Sequence, residues 1–379
     1  MNKRVLITGG AGFIGSNLAL KLLNKNYEVV ILDNLSPQIH GDNPDKSYTY
    51  NLIKDKTIFI KGSVENHDDW ARAIEGVDIV VHLAAETGTG QSMYQVQRYI
   101  DVNIGGTSIL LDMLVNKEAT IKKLIVASSR SIYGEGKYTC VDHGVVYPEV
   151  RTEKDMSRGD FEVKCPDCAK NVEMLPTDEA SLSHPVSVYG YTKKAQEELS
   201  ILVGDSIDLP VTAFRFQNVY GPGQSLKNPY TGILSIFSTQ IKNGNDINIF
   251  EDGKESRDFV YIDDITNAVI LGIEDEKPGS KVFNVGSNER LSVIDIATTL
   301  REKYGSDILL NISGNYRLGD IRDNLADLTA IRRELGYEPQ TSFKQGISNF
   351  VDWVNAQEIE STDSYSKSLE EMREKGLYK

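Results

Sequence analysis

The chain of 379 residues contains no apolar run longer than a strand, so no segment meets the ~20 residues a membrane-spanning helix needs. It is short of positive charge. Lys and Arg number 41 against 55 Asp and Glu, a net charge of −14, and such an excess disfavours the diffuse electrostatic attraction that carries nucleic-acid binding. An anionic ligand must therefore be held by locally placed arginines. Cysteine is scarce: three residues, all between positions 140 and 168. An odd number in one stretch is no disulfide framework. The N-terminus enters an apolar strand within a few residues, with no charged and apolar leader, so a cytoplasmic location is expected. Repeats and low-complexity segments are absent, and the length supports a large core in one or two domains.

What is present starts with Thr8-Gly9-Gly10-Ala11-Gly12-Phe13-Ile14-Gly15, between the apolar stretch Arg4–Ile7 and a helical pattern from Ser16 to Leu23. Glycines at 9, 12 and 15 leave room for a tight turn, for a pyrophosphate to approach backbone N–H groups, and for close packing of helix on strand. Alone, such a triplet is only a strand-to-helix turn. Here the next strand, Glu28 to Leu32, ends at Asp33, about 20 residues downstream, where an acid meets the adenosine ribose. A carboxylate there repels a 2′-phosphate, so NAD is expected rather than NADP.

Further strands are expected at Thr57–Lys61, Asp78–Leu83, Leu124–Ser128 and Val211–Arg215, with helical patterns between several of them. This is the layout of a doubly wound parallel sheet, whose ligands lie at the C-terminal strand ends. Gly62-Ser63-Val64 follows the third strand as an adenine-contact turn. Leu83-Ala84-Ala85 follows the fourth, where small residues let a cofactor near the backbone; His82 reads as structural. The stretch from Glu86 to Ser92 can line a substrate pocket. Asp101 to Thr107 lies within the following helix, its glycines implying close packing. After the fifth strand comes Ser128-Ser129-Arg130-Ser131-Ile132-Tyr133-Gly134. Much later, Tyr189 and Lys193 stand four apart, on one helix face. That pair alone is common; a nucleotide loop, a hydroxyl after strand five and the pair in this order are not.

With these motifs the chain, from residue 1 to about 350, resembles the extended short-chain dehydrogenase/reductases of the nucleotide-sugar epimerase and dehydratase group. The resemblance continues through Arg215–Pro222, Arg257–Asp264 and Arg317–Asp320. It implies an α/β, Rossmann-like doubly wound parallel sheet with a smaller C-terminal substrate lobe. The NAD-binding domain would span 1–217, the nucleotide-sugar lobe 218–352 and a helical or flexible tail 353–379. Gly9, Gly12, Phe13, Ile14, Gly15, Asp33 and Asn34 would meet the cofactor, as would Ser63, Val64, Leu83, Ala84, Ala85, Asn103, Tyr189, Lys193 and Phe216. Ser63 stands where many relatives carry Asp. The substrate would meet Thr87, Ser129 and Arg130, with Asn218, Arg257 and Arg317 on its diphosphate, Phe250 near the base and Asp320 near the ribose. Arginine offers phosphate a planar fork of donors.

The implied chemistry is hydride exchange between NAD and the sugar C4, with Tyr189 taking the C4 hydroxyl proton. Ser129 would hydrogen-bond the same oxygen, and Lys193 would favour the phenolate and hold the nicotinamide ribose. An unperturbed phenol, near pKa ~10, is a poor base without such help. Related dehydratases carry an Asp-Glu pair after the serine position, and decarboxylases a Glu at the second place; Arg130 and Ser131 supply no carboxyl group. That leaves C4 epimerisation or 4-keto reduction. A homodimer through helices Ser92–Asn116 and Tyr189–Val203 is a further expectation of the family. A binding protein without catalysis would not need Ser129, Tyr189 and Lys193 together.

Residues 136–178 depart from the family pattern. Cys140-x-x-His143 is followed by Cys165-x-x-Cys168, and all the cysteines fall into these two knuckles. Four such ligands fit a closed, structural tetrahedral zinc, and with little apolar material between them the insert would need metal to fold. The bland alternative is a loop with reduced thiols. With this insert and Asn218–Leu226 and Asn228–Gly232 downstream, the chain has a narrower resemblance to dTDP-L-rhamnose 4-epimerases. UDP-hexose 4-epimerases and CDP-sugar 2-epimerases are the competing subgroups.

Overall fold

A computed structural model describes residues 3–228, 230, 232–359 and 364–379. Its centre is a seven-stranded sheet. β1 (Arg4–Thr8), β2 (Glu28–Asp33), β3 (Ile58–Lys61), β4 (Ile79–His82) and β5 (Lys123–Ser129) are joined by the strands Val211–Phe216 and Lys281–Val285. All pair in parallel, in the order Lys281–Val285, Val211–Phe216, β5, β4, β1, β2, β3. Alternation along β1 shows why the strands read as unbroken apolar runs. Val5 and Ile7 face one core with α1 (Phe13–Asn24) and the helix Ile262–Glu274. Leu6 faces the other, with Trp70, Leu110 and Leu114. Helices on both faces bury both rows of side chains. The chain leaves β1 for β2 and β3, then crosses to β4 on the other side of β1, so the switch point lies beside the glycine-rich loop.

The smaller lobe holds the strands Asn218–Tyr220, Ser256–Tyr261 and Arg290–Ser292, with the helices Ile233–Lys242, Val293–Tyr304 and Phe343–Asn355 packed around Tyr220, Phe259 and Phe350. One strand from beyond residue 218, Lys281–Val285, returns to the main sheet.

Two local expectations differ from what is found. The helix expected over Ser92–Asn116 is interrupted at Met93–Gln95 and then runs from Val96 to Val115 with a wide turn over Ile100–Gly105. The wide turn carries Asn103 inward, and a Cβ on Gly106 would come within 2.7 Å of the Val64 side chain. The insert also has more core than its sequence shows. Its antiparallel strands Tyr138–Cys140, Gly144–Val146 and Glu173–Met174 bury Tyr138, Val146, Val163 and Val172 around Cys140 and Cys165. Apolar residues contributed singly from several turns leave no periodic signal.

Candidate active site

The glycine-rich loop has the shape that its sequence requires. Gly9 has φ +66°, and a Cβ there would lie 2.9 Å from the Ala84 backbone; one on Gly15 would lie 2.5 Å from the Gly9 carbonyl. α1 begins at Gly12 with no side-chain cap and no acid in its first turn, so its N-terminal N–H groups remain open to an anion. Asp33 fixes the loop, accepting from the Ala11 N–H at 2.9 Å and the Leu35 N–H at 2.8 Å. Burial raises its carboxyl, and the Leu35 N–H and His40 oppose that rise.

A cavity of about 590 Å³ runs from this loop to the smaller lobe. It is lined by every residue the sequence assigned to cofactor, substrate or catalysis except Asn103. The Asn103 amide is used in holding the cavity wall: it bonds the Glu86 N–H at 2.8 Å, the Glu86 carbonyl at 3.1 Å and Thr192 Oγ1 at 2.9 Å. His82 is structural, as read. It bridges Thr8 and Thr107, and burial drives its imidazole down to about 3.

Ser129 ends β5. Tyr189 and Lys193 start the helix Val188–Ser206, whose cap is Ser187 Oγ accepting from the Gly190 N–H at 3.1 Å. Gly190 lets that helix press on the serine segment, since a Cβ would meet the Ser131 carbonyl at 2.6 Å. The result is a directed chain. Ser131 donates to Ser129 Oγ through both its N–H, at 3.2 Å, and its hydroxyl, at 2.8 Å. The Ser129 hydroxyl, in turn, acts on the neighbouring Tyr189 phenol. Burial raises that phenol, while Ser129 and then the Arg130 guanidinium lower it. Lys193 Nζ instead donates to Gln196 Oε1 at 2.6 Å, and burial pushes its ammonium down to about 7 against the pull of Glu197. The Arg130 guanidinium thus also acts on Tyr189, a role the sequence did not disclose.

Beyond Tyr189 the cavity turns cationic. Arg130 Nε donates to Asn218 Oδ1 at 3.0 Å, and its guanidinium is brought down to about 9, first by burial and then by repulsion from Arg257. Arg257 is fixed by the carbonyls of Ser256, Ile321 and Arg322 at 2.8–2.9 Å. Arg317 pairs with Asp320 at 2.7 Å and lies over the Phe250 ring, 5.3 Å from its centre. Arg130 and Arg257 repel each other, and although Asp320 and Glu255 share the wall, an anion between the two arginines would relieve that repulsion. Among the wall residues that sequence reasoning missed are Glu255 and Tyr365, the latter an aromatic among the charged residues near the end of the chain.

In the insert, Cys140 Sγ lies 3.5 Å from His143 Nδ1 and 3.7 Å from Cys168 Sγ, and Cys165 Sγ is 3.5 Å from His143 Nδ1. The four ligand atoms all fall within 4.8 Å of one another. A tetrahedral zinc with bonds of ~2.3 Å to sulfur and ~2.05 Å to nitrogen has edges of about 3.8 and 3.6 Å. The Asp142 N–H, and next the His143 ring, hold the Cys140 thiol down to about 6, towards the ligating thiolate.

A phosphate-binding loop at the switch point of a parallel sheet, facing a serine–tyrosine–lysine group across one cavity, defines a short-chain dehydrogenase/reductase of the extended kind. Comparison with known proteins narrows this. The model of the NAD dependent epimerase/dehydratase family matches residues 5–152 and 165–286, and the chain belongs to that family of enzymes. It is 35% identical over 361 residues to a dTDP-L-rhamnose 4-epimerase of Burkholderia thailandensis, covering 94% of this chain and 96% of that protein. Among solved structures, it resembles the UDP-glucose 4-epimerase of Thermotoga maritima bound to UDP-glucose (TM-score 0.75, 28% identity, 93% and 98% of the two chains). It also resembles the UDP-glucuronic acid 4-epimerase of Bacillus cereus bound to UDP-glucuronic acid and NAD (TM-score 0.74, 26% identity, 93% and 99%).

Proposed function

We propose that this protein inverts C4 of a nucleotide-activated sugar, with dTDP-L-rhamnose as substrate and dTDP-6-deoxy-L-talose as product. The observation that carries the reaction is the placing of Ser129, held by Ser131, with Tyr189 and Lys193 on one cavity wall, the tyrosine two residues from the helix N-cap Ser187. The glycine-rich loop and Asp33 would hold NAD, which would supply a hydride acceptor and donor for the sugar C4. Tyr189 takes the C4 hydroxyl proton as that hydride leaves and returns it afterwards. Ser129 holds the same oxygen, and Arg130 favours the phenolate on which the step depends. Arg257, Arg317 and Asn218 hold the diphosphate, Phe250 the base and Asp320 the ribose. The free 4-keto sugar turns over between these anchors and is reduced on its other face. The glycine-rich loop, Asp33 and the wall Leu83–Ala85 fit NAD. The choice of sugar rests on the Burkholderia relative and on the zinc-knuckle insert.

A second sugar class is favoured by one observation. Arg130 is a buried cation next to Ser129, and such a group would pair with the carboxylate of a nucleotide uronate. The insert's tetrahedral Cys140, His143, Cys165 and Cys168 are assigned a structural zinc. The domain limits at 217 and 352 are kept as part of this reading, although the strand Lys281–Val285 lies in the main sheet and the helix Phe343–Asn355 runs through 352. Exposed apolar residues on the two helical regions, including Tyr191 at 62% and Leu202 at 68% exposure, support a homodimer. Among the described residues no helix is long and apolar enough to cross a membrane, and a cytoplasmic location accords with that.

Proton NMR of the purified protein with dTDP-L-rhamnose, UDP-glucose, UDP-galactose and UDP-glucuronate in parallel tubes, without added NAD, tests this reading. Conversion of dTDP-L-rhamnose to its C4 epimer is expected. Turnover of a UDP-sugar in its place would reassign the substrate, and turnover only of a 4-keto sugar with added reduced cofactor would make the protein a reductase.

A further inference from the structure

The end of the chain is polar and charged in composition, yet it is docked on three parts of the molecule. The helix Ser364–Glu374 lays Met372 against Gly90 of the Rossmann half, where a Cβ would lie 3.0 Å from its sulfur. Glu371 Oε2 accepts from both the Tyr94 and Tyr230 hydroxyls, each at 3.1 Å, so one carboxylate bridges the two lobes. Beyond the helix, Leu318 donates its N–H to the Leu377 carbonyl at 3.0 Å, and Tyr316 and Lys379 exchange backbone bonds at 3.0 and 3.1 Å. The Tyr378 ring packs 5.2 Å from Phe250, and Lys379 pairs with Glu153 of the insert at 3.3 Å. In the first turn of the helix, Tyr365 enters the main cavity among Arg317, Asp320 and Phe250. The Arg317 and Asp320 charges act on its phenol, which burial keeps in the neutral, donating form.

We propose that this C-terminal segment is a wall of the substrate site, with Tyr365 donating its hydroxyl to the diphosphate held by Arg317, and Glu371 pinning the segment across the cavity through Tyr94 and Tyr230. The inference rests on the nucleotide-sugar reading given above. Tyr365 is thus a substrate-contacting residue, and Glu371 is a positioning residue that acts through two tyrosines. Such a wall closes the nucleotide end of the cavity and leaves Ser129 and Tyr189 untouched. Its loss weakens binding and spares turnover.

Calorimetric binding of dTDP and UDP to the protein as purified, together with kcat and KM on the sugar it converts, tests this. Tyr365→Phe is expected to weaken dTDP or UDP binding and raise KM about tenfold, the scale of one hydrogen bond to a charged group, with kcat within about twofold. Glu371→Ala should act in the same direction, and Glu371→Gln, which keeps an acceptor for the tyrosines, should restore binding. Bound NAD and Tm should match the wild type in all three. On the wild type, amide exchange over 364–379 should slow when dTDP or UDP is added. A Tyr365→Phe protein that binds as tightly as the wild type, a Glu371→Ala loss that Gln does not repair, or exchange indifferent to nucleotide would each overturn the inference alone. A wild-type protein that binds neither dTDP nor UDP would overturn the nucleotide-sugar reading beneath it.

Discussion

Arg151 in the insert donates both terminal nitrogens of its guanidinium to the carboxylate of Glu251, at 2.6 and 2.8 Å, and both side chains are almost wholly buried. Glu251 follows Phe250 and has φ +50°, so this pair fixes the turn that presents the proposed base-stacking ring. Arg322 joins the same carboxylate at 3.2 Å and reaches Glu162 of the insert at 3.1 Å. The insert is thereby tied to the substrate lobe by charge. Arg151→Ala leaves Glu251 with one cation and is expected to cost about 3 kcal/mol of stability, at the lower end for a broken buried pair. Denaturant unfolding reads this, and KM for the nucleotide sugar should rise with it. An unchanged stability would mean that the pair is not formed.

Arg130 supplies the positive charge near the Tyr189 phenol. Removing a cation from beside an acid raises that acid's pKa. Arg130→Gln should therefore move the acid limb of the kcat–pH profile to higher pH, besides raising KM. A limb that stays in place would assign the activation of Tyr189 to another group.

Glu255 lines the cavity, one of its oxygens is buried without a partner, and burial pushes its carboxyl up to about 7, with Glu251 adding to the rise. A carboxyl whose pKa is higher in the folded state binds its proton more tightly there. Its contribution to stability is largest below the ordinary value and is lost as pH rises through about 7. Glu255→Gln should gain several degrees of Tm relative to the wild type between pH 4.5 and 7.5, measured by thermal melts across that range. Glu135, also raised to about 7 by burial, leaves part of the slope in both proteins.

The insert should carry about one zinc per chain by elemental analysis. Cys168→Ser should lose most of it and open residues 138–174 to proteolysis, because the small cluster around Tyr138 and Val163 is too little to hold the insert alone. Metal-free protein with an intact, protease-resistant insert would remove the zinc assignment.

The Rossmann half was legible because its signals are local. The glycines at 9, 12 and 15, the acid at 33 and the apolar strands each show within a few residues. The Cys140–Cys168 knuckles were legible by spacing. The link between insert and lobe was not, since Arg151 and Glu251 stand 100 residues apart and each reads singly as a surface charge. A helix in the tail was among the expectations, but its docking was hidden by composition: Tyr365, Met372 and Tyr378 are scattered through a polar stretch and gain meaning only against Gly90 and Phe250. The wide turn at Asn103 was missed because it keeps the apolar pattern of a helix while shifting its phase.

Hydride return to the same carbon is the central claim, and isotope labelling tests it most directly. The protein as purified is given dTDP-L-rhamnose deuterated at C4, in ordinary water and without added NAD, and the product is examined by NMR and mass spectrometry. The account predicts a C4 epimer that keeps its deuterium at C4, and no product from Tyr189→Phe. An epimer that has exchanged its deuterium for solvent hydrogen would contradict the hydride mechanism.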